Sequence, residues 1–238
     1  MTERRTGRIL SVSDTGPVQE VQRLAEVFPT GEGGLLGIAA SPNYSTDRWV
    51  YVYYSTTVDN RVARLHLGER PQPILTGIRK STFNNGGRIA FGPDGMLYVG
   101  TGDVVDARAP QDLFSFNGKI LRITPDGDPA PGNPFPDSPV YSYGHRNVQG
   151  LAWDPWGRLY AAEFGDHRYD ELNRVLPGRN YGWPYVEGAR PTRSPRGRRR
   201  TRHCVGSPSS ATRFTARSLP AGACCGSVST GVSRLSCS

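Results

Sequence analysis

The sequence predicts an all-β protein of the β-propeller class, and three observations carry that prediction. A strand–turn–strand pattern recurs. Ile38-Ala39-Ala40-Ser41-Pro42 leads into Trp49–Tyr53, Ile89-Ala90-Phe91-Gly92-Pro93 into Met96–Gly100, and Leu151-Ala152-Trp153-Asp154-Pro155 into Arg158–Ala162. The copies start 51 and 62 residues apart, room for a blade of several short strands each. No segment has the apolar periodicity of a helix.

Taken in order, Gly7–Val12 (GRILSV) reads as a strand whose earlier partner is missing. Met1–Arg5 has no apolar run, so no signal peptide is expected, and no stretch is long and apolar enough to span a bilayer. Thr30–Gly37 (TGEGGLLG) is a Gly-rich loop feeding the first hairpin; no helix follows it to supply a dipole for phosphate. Arg61–Leu67 and Gly118–Thr124 are further strands. Between them lies the best-defined hairpin, Asn84–Asp103 (NNGGRIAFGPDGMLYVGTGD). Its Gly86-Gly87 pair permits positive φ, and Gly92-Pro93-Asp94-Gly95 has explicit turn chemistry. Thr101-Gly102-Asp103 then leaves a carboxylate at the strand end.

The Asp126–Pro139 loop carries Asp126, Asp128 and Asp137, which are either solvated loop acids or calcium ligands. Tyr143–Gly150 (YGHRNVQG) concentrates polar groups before an apolar strand: Arg146 suits a carboxylate, and Asn147 both donates and accepts. A turn tied by Arg and Asn explains the same spacing. Glu163-Phe164-Gly165-Asp166 follows the third hairpin as Thr101-Gly102-Asp103 follows the second. Asp170–Asn173 and Gly178–Pro184 close the body with acids and exposed carbonyls that suit a hard cation, NYGWP otherwise being a turn with an aromatic anchor.

Charge divides the chain in two. Residues 1–189 hold 19 Lys and Arg against 21 Asp and Glu, a net of −2; residues 190–238 hold ten Arg and no Asp, Glu or Lys. The +8 of the whole is therefore a property of the last 49 residues, which also hold all four cysteines. We read 1–189 as a partial propeller and 190–238 as a disordered tail. The tail's composition matches GC-rich coding DNA read out of frame; a genuine disordered tail and an arginine patch for nucleic acid are the other readings. The cysteine spacing fits no metal framework.

Together GEGGLLGIAASPNY, NNGGRIAFGPDGMLYVGTGD, YSYGHRNVQGLAWDP and DELNRVLPGRNYGWP resemble the soluble glucose/sorbosone (aldose sugar) dehydrogenases, in that family's order across residues 2–188. The resemblance implies a six-bladed propeller, here partial and open with about four blades. It also implies pyrroloquinoline quinone (PQQ) and calcium as cofactors, with a small sugar and an electron acceptor as partners. Glu32 falls at a cofactor-contacting Gln, and Arg146 and Asn147 match the pair that contacts the quinone. Gly165 and Asp166 fall where carbonyls hold the cofactor's calcium, while Glu171 and Tyr181 match positions associated with calcium in relatives. Asp103 matches the acid that orients the catalytic histidine, but the histidine's own position is Asn84.

An amide cannot act as a general base. The expected function is therefore a PQQ- and calcium-dependent oxidation of the C1 hydroxyl of aldoses, impaired by Asn84 and by truncation of the ring. A non-catalytic propeller serving as a binding module is the second reading. Nucleic-acid binding through the tail ranks last. Relatives are usually exported; the sequence shows no export signal and fixes neither compartment nor oligomeric state.

Overall fold

The computed structural model describes residues 1–13, 16–167 and 169–188. The expected tail, Arg190–Ser238, lies outside the described residues, as does Ala189. Among the described residues fourteen strands form four antiparallel sheets, each ordered as in the sequence. The first sheet contains β1 (Thr2–Glu3), β2 (Arg8–Ser11) and β3 (Gln19–Arg23). The second contains β4 (Leu35–Ala40), β5 (Val50–Ser55), β6 (Asn60–Leu65) and β7 (Gln72–Ile78). The third contains β8 (Gly86–Phe91), β9 (Leu97–Thr101), β10 (Lys119–Ile123) and β11 (Val140–Tyr143). The fourth contains β12 (Val148–Trp153), β13 (Leu159–Glu163) and β14 (Glu171–Val175). The first strand of each sheet packs against the first strand of the next, which is how blades meet around an axis. The described residues thus form the partial, open six-bladed type of propeller expected.

One reading changes. A partner strand does precede Gly7–Val12: β1 pairs Thr2 with Ile9 and Glu3 with Arg8. Its two residues are too short for any alternation to register in sequence. Among the described residues helix is confined to the four residues of α1 (Tyr44–Asp47) and a 3-10 turn at Ala109–Gln111, in keeping with the lack of helical periodicity in the sequence.

Three apolar layers fill the gaps between the four sheets. Ile9, Leu24, Val50, Val52 and Tyr54 pack between the first and second sheets. Tyr51, Tyr53 and Val62 meet Ile89, Val99 and Leu121 between the second and third. Tyr98, Ile120, Val148 and Ala161 pack between the third and fourth. β5 is therefore buried on both faces, its alternate residues feeding different layers. The GPDG turn forms as its chemistry dictates: Gly95 N–H donates to Gly92 O at 3.0 Å, and Met96 N–H donates to Asp94 Oδ1 at 3.1 Å. Asp154-Pro155-Trp156-Gly157 repeats it, with Gly157 N–H on Asp154 O at 2.9 Å.

Near the axis the inner strands approach too closely for side chains. A Cβ on Gly37 of β4 would overlap the carbonyl oxygen of Gly87 on β8. Gly37→Ala should therefore force these two strands apart and cost about 1–3 kcal/mol, read as a lower urea midpoint. An unchanged midpoint would show that this contact does not set the blade spacing.

Candidate cofactor site at the propeller axis

The inner ends of the second, third and fourth sheets converge on one cleft of about 430 Å³, lined by Glu32, Asn84, Arg146, Asn147 and Gly165 together with Phe83, Val105, Phe164 and Asp170. Five of the nine expected site residues thus share one cavity, although their sequence positions span from 32 to 165. Gly102 makes this possible. Any Cβ there would overlap the carbonyl oxygen of Asn84, so glycine lets the start of β8 lie against the segment leaving β9. Asn84 itself has φ 54°, a left-handed backbone that Asn tolerates better than most residues.

Asp103 stands behind the cleft, 3% exposed. Its Oδ1 accepts from Asn84 Nδ2 at 2.9 Å and from the Val105 N–H at 2.9 Å. Its Oδ2 accepts from Trp183 Nε1 at 2.8 Å, and its own N–H donates to Arg146 O at 2.7 Å. Val104 and Val105, which follow it, have φ 53° and 61°, a strained conformation for β-branched residues. Asn147 completes the array: Nδ2 donates to Asn84 Oδ1 at 3.3 Å, and Oδ1 accepts from the Gly86 N–H at 3.0 Å. Glu32 Oε2 accepts the Asn84 N–H at 2.8 Å.

Arg146 reaches across to the loop after β13. Nη1 donates to Gly165 O at 2.6 Å, and Nη2 pairs with Asp166 at 2.8 Å. Its guanidinium also lies 5.3 Å from the Trp183 ring centre. Its Nε is buried and has no hydrogen-bond partner among the described residues. A buried donor left unpaired is costly, and a ligand acceptor in the cleft would relieve it.

Of the four expected calcium positions, Gly165, Glu171 and Tyr181 line one small space, and Asp166 is not among its lining residues. Gly165 lines both the cleft and an adjoining water-sized void of about 10 Å³, whereas Glu171 and Tyr181 line only the smaller space. Asp166 turns its carboxylate to Arg146. The Tyr181 hydroxyl donates to Arg174 O at 2.7 Å and accepts the Leu176 N–H at 2.9 Å, so it is committed to the β14 region. Glu171 accepts from Asn173 at 2.8 Å and from the Gly188 N–H at 2.5 Å; burial raises its pKa. Among the described residues no cluster of three His, Cys, Asp or Glu is placed to hold a metal by side chains alone.

Two groups that sequence reasoning passed over organise the site. Trp183, read there as a turn anchor, fixes Asp103. Glu163 accepts from His145 Nδ1 at 2.7 Å, Asn173 Nδ2 at 3.0 Å and the Arg146 N–H at 3.1 Å. His145 is fully buried, bonded on its other side to Ser142 Oγ at 2.8 Å and stacked on Tyr181. It therefore holds the Arg146–Asn147 turn in place and does not reach the cleft. Burial alone would raise the Glu163 pKa, but the charge and hydrogen bond of His145, with the Asn173 and Arg146 donors, outweigh it and hold the carboxyl below its ordinary range. A depressed folded-state pKa contributes stability above the unfolded value of about 4.3 and loses it as pH falls through the folded one. Melting temperature should thus decline on acidification below about pH 4, and Glu163→Gln should flatten that slope while lowering stability at neutral pH. An identical acid slope in the variant would remove Glu163 from the account.

The sequence profile described as Glucose / Sorbosone dehydrogenase matches residues 1–224. Quinoprotein glucose dehydrogenase B of Acinetobacter calcoaceticus is 32% identical, the match covering 79% of this chain and 48% of the relative. Aldose sugar dehydrogenase YliI of Escherichia coli K12 is 33% identical over 67% of this chain and 48% of its own. The solved PQQ-bound form of aldose sugar dehydrogenase from Streptomyces coelicolor superposes with a TM-score of 0.77 at 53% identity, covering 79% of this chain and 59% of that one. The chain spans about half the length of these curated relatives. Propeller sheets in sequence order, an axial cleft and this profile agree: the chain belongs to the glucose/sorbosone dehydrogenase family.

Proposed function

We propose that the axial cleft binds PQQ together with calcium, and that the chain belongs to an oxidoreductase acting on the C1 hydroxyl of aldoses. The observation that carries this reading is the unpaired, buried Nε of Arg146 beside Asn147. A carboxylated quinone supplies the acceptor this donor lacks. The charge balance supports a cation as well. Among the described residues that line the cleft, Glu32 and Asp170 stand against one guanidinium, Arg146, so a polyanionic cofactor meets more acid than base there. A divalent ion held by carbonyls of the Gly165–Asp166 turn and by the cofactor would offset that repulsion.

In this reading Arg146 and Asn147 hold and orient the cofactor, and Asp103 with Trp183 fixes Asn84 at the mouth. The bound quinone supplies the hydride acceptor. Asn84 cannot take up a proton, so it contributes hydrogen bonding only. That substitution is also what favours the second reading, a propeller that binds a ligand without turning it over.

Titrating the full chain with PQQ and calcium, followed by cofactor absorbance and melting temperature, should show saturable binding. Arg146→Ala should weaken it at least tenfold, since a charge-assisted contact is worth about 1.5–3 kcal/mol. Asn84→His should raise PQQ-dependent dye reduction. Binding with no turnover in either form would select the binding module, and absence of binding would remove PQQ from the account.

A further inference from the structure

Oxidising a hydroxyl requires a group that removes its proton, and the residues around Asn84 narrow the choice. The Asn84 amide has no basic lone pair, and both its polar atoms are engaged, Nδ2 by Asp103 and Oδ1 by Asn147. Asp103 is buried behind it with both carboxylate oxygens accepting hydrogen bonds. His145 is enclosed between Ser142 and Glu163. Two carboxylates line the cleft itself, Glu32 and Asp170. Asp170 is drawn to the turn after β13, where it accepts the Gly165 N–H at 3.1 Å.

Glu32 is placed differently. Its Oε2 touches Asn84 directly, accepting that residue's N–H at 2.8 Å. Its own N–H donates to Thr82 O at 2.8 Å, which pins the Gly-rich loop against the segment leading into β8. The other carboxylate oxygen has no hydrogen-bond partner among the described residues. Glu32 is half-buried, open enough to meet a ligand in the cleft.

Resting on the PQQ reading above, we propose that Glu32 is the proton acceptor of this chain, doing from the Gly-rich loop what Asn84 cannot do from the start of β8. The sugar's C1 O–H bond breaks and its proton passes to the Glu32 carboxylate. The C1–H bond breaks with its electron pair going to the bound quinone as the oxidant, and C1 becomes a carbonyl carbon. Protonated Glu32 returns the proton to solvent through the open mouth.

The test uses the full chain loaded with PQQ and calcium, and reads cofactor affinity beside turnover. Glu32→Gln preserves size and an acceptor for the Asn84 N–H. It should lower kcat by about 10²–10⁴-fold with KM little changed, the span of a lost general base. PQQ affinity, from the absorbance titration, should stay the same or tighten, because a negative charge has left the cleft. Adding Asn84→His to Glu32→Gln should restore turnover. Parallel loss of affinity and kcat would mark Glu32 as structural and overturn the proposal, as would undiminished turnover in Glu32→Gln. A parent chain that binds PQQ but never turns over likewise overturns it while sparing the cofactor site. Failure of the parent to bind PQQ overturns the cofactor reading, and this proposal with it.

Discussion

The axial site depends on how Asp103 is held. One buried carboxylate accepts hydrogen bonds from Asn84, Val105 and Trp183, and the same residue's N–H ties to the Arg146 carbonyl. Four segments far apart in sequence are thereby fixed to one point. A buried anion is tolerable only when its oxygens are satisfied, and here they are satisfied by groups that belong to the site. Trp183 is also the ring beneath Arg146, so orientation of the acid and of the cleft-lining cation are mechanically linked. Strain collects beside it, in the left-handed Val104 and Val105, where a conformation uncomfortable for valine is imposed by its surroundings.

A second buried polar cluster sets the other wall. The Ser142–His145–Glu163 chain resembles a hydrolase triad in its connectivity, yet the serine and histidine are fully buried, so no substrate can reach the hydroxyl. Its effect is positional: Glu163 grips the Arg146 N–H while His145 and Asn173 compensate its charge. Arg146 then spends its Nη donors on Gly165 and Asp166 and leaves Nε unpaired. Among the described residues that line the cleft, Arg146 is the one cation, beside the acids Glu32 and Asp170.

The sheets provide the rigidity that this arrangement needs. Central strands such as β5 and β9 are buried on both faces, so neighbouring apolar layers share a strand and cannot shift independently. Lys119 Nζ adds a polar pin beside the site, donating to the carbonyls of Ala109, Pro110 and Asn117 and so tying the connection between β9 and β10. Burial lowers its pKa to about 7, with Asp112 partly opposing that effect.

What the sequence determined by itself was local and periodic. Repeated hairpins, GPDG and DPWG turns and paired glycines fix strands through short-range sterics and hydrogen bonding, and their spacing is enough to name the propeller. The outer strands β3, β7 and β14 escaped that reading because they are largely exposed on at least one side, and QEVQR or ELNRV carries little alternation. The polar segments around Asn84, Asp103 and Arg146-Asn147 were visible as unusual, and Glu32 was visible as a departure in charge. Only the tertiary structure decided which of these groups share a cavity. It also sent His145 into the core, committed the Tyr181 hydroxyl to β14, and brought Trp183 onto Asp103. Such contacts join residues up to 80 positions apart, and their geometry is set by how whole sheets stack around the axis, which no local pattern encodes.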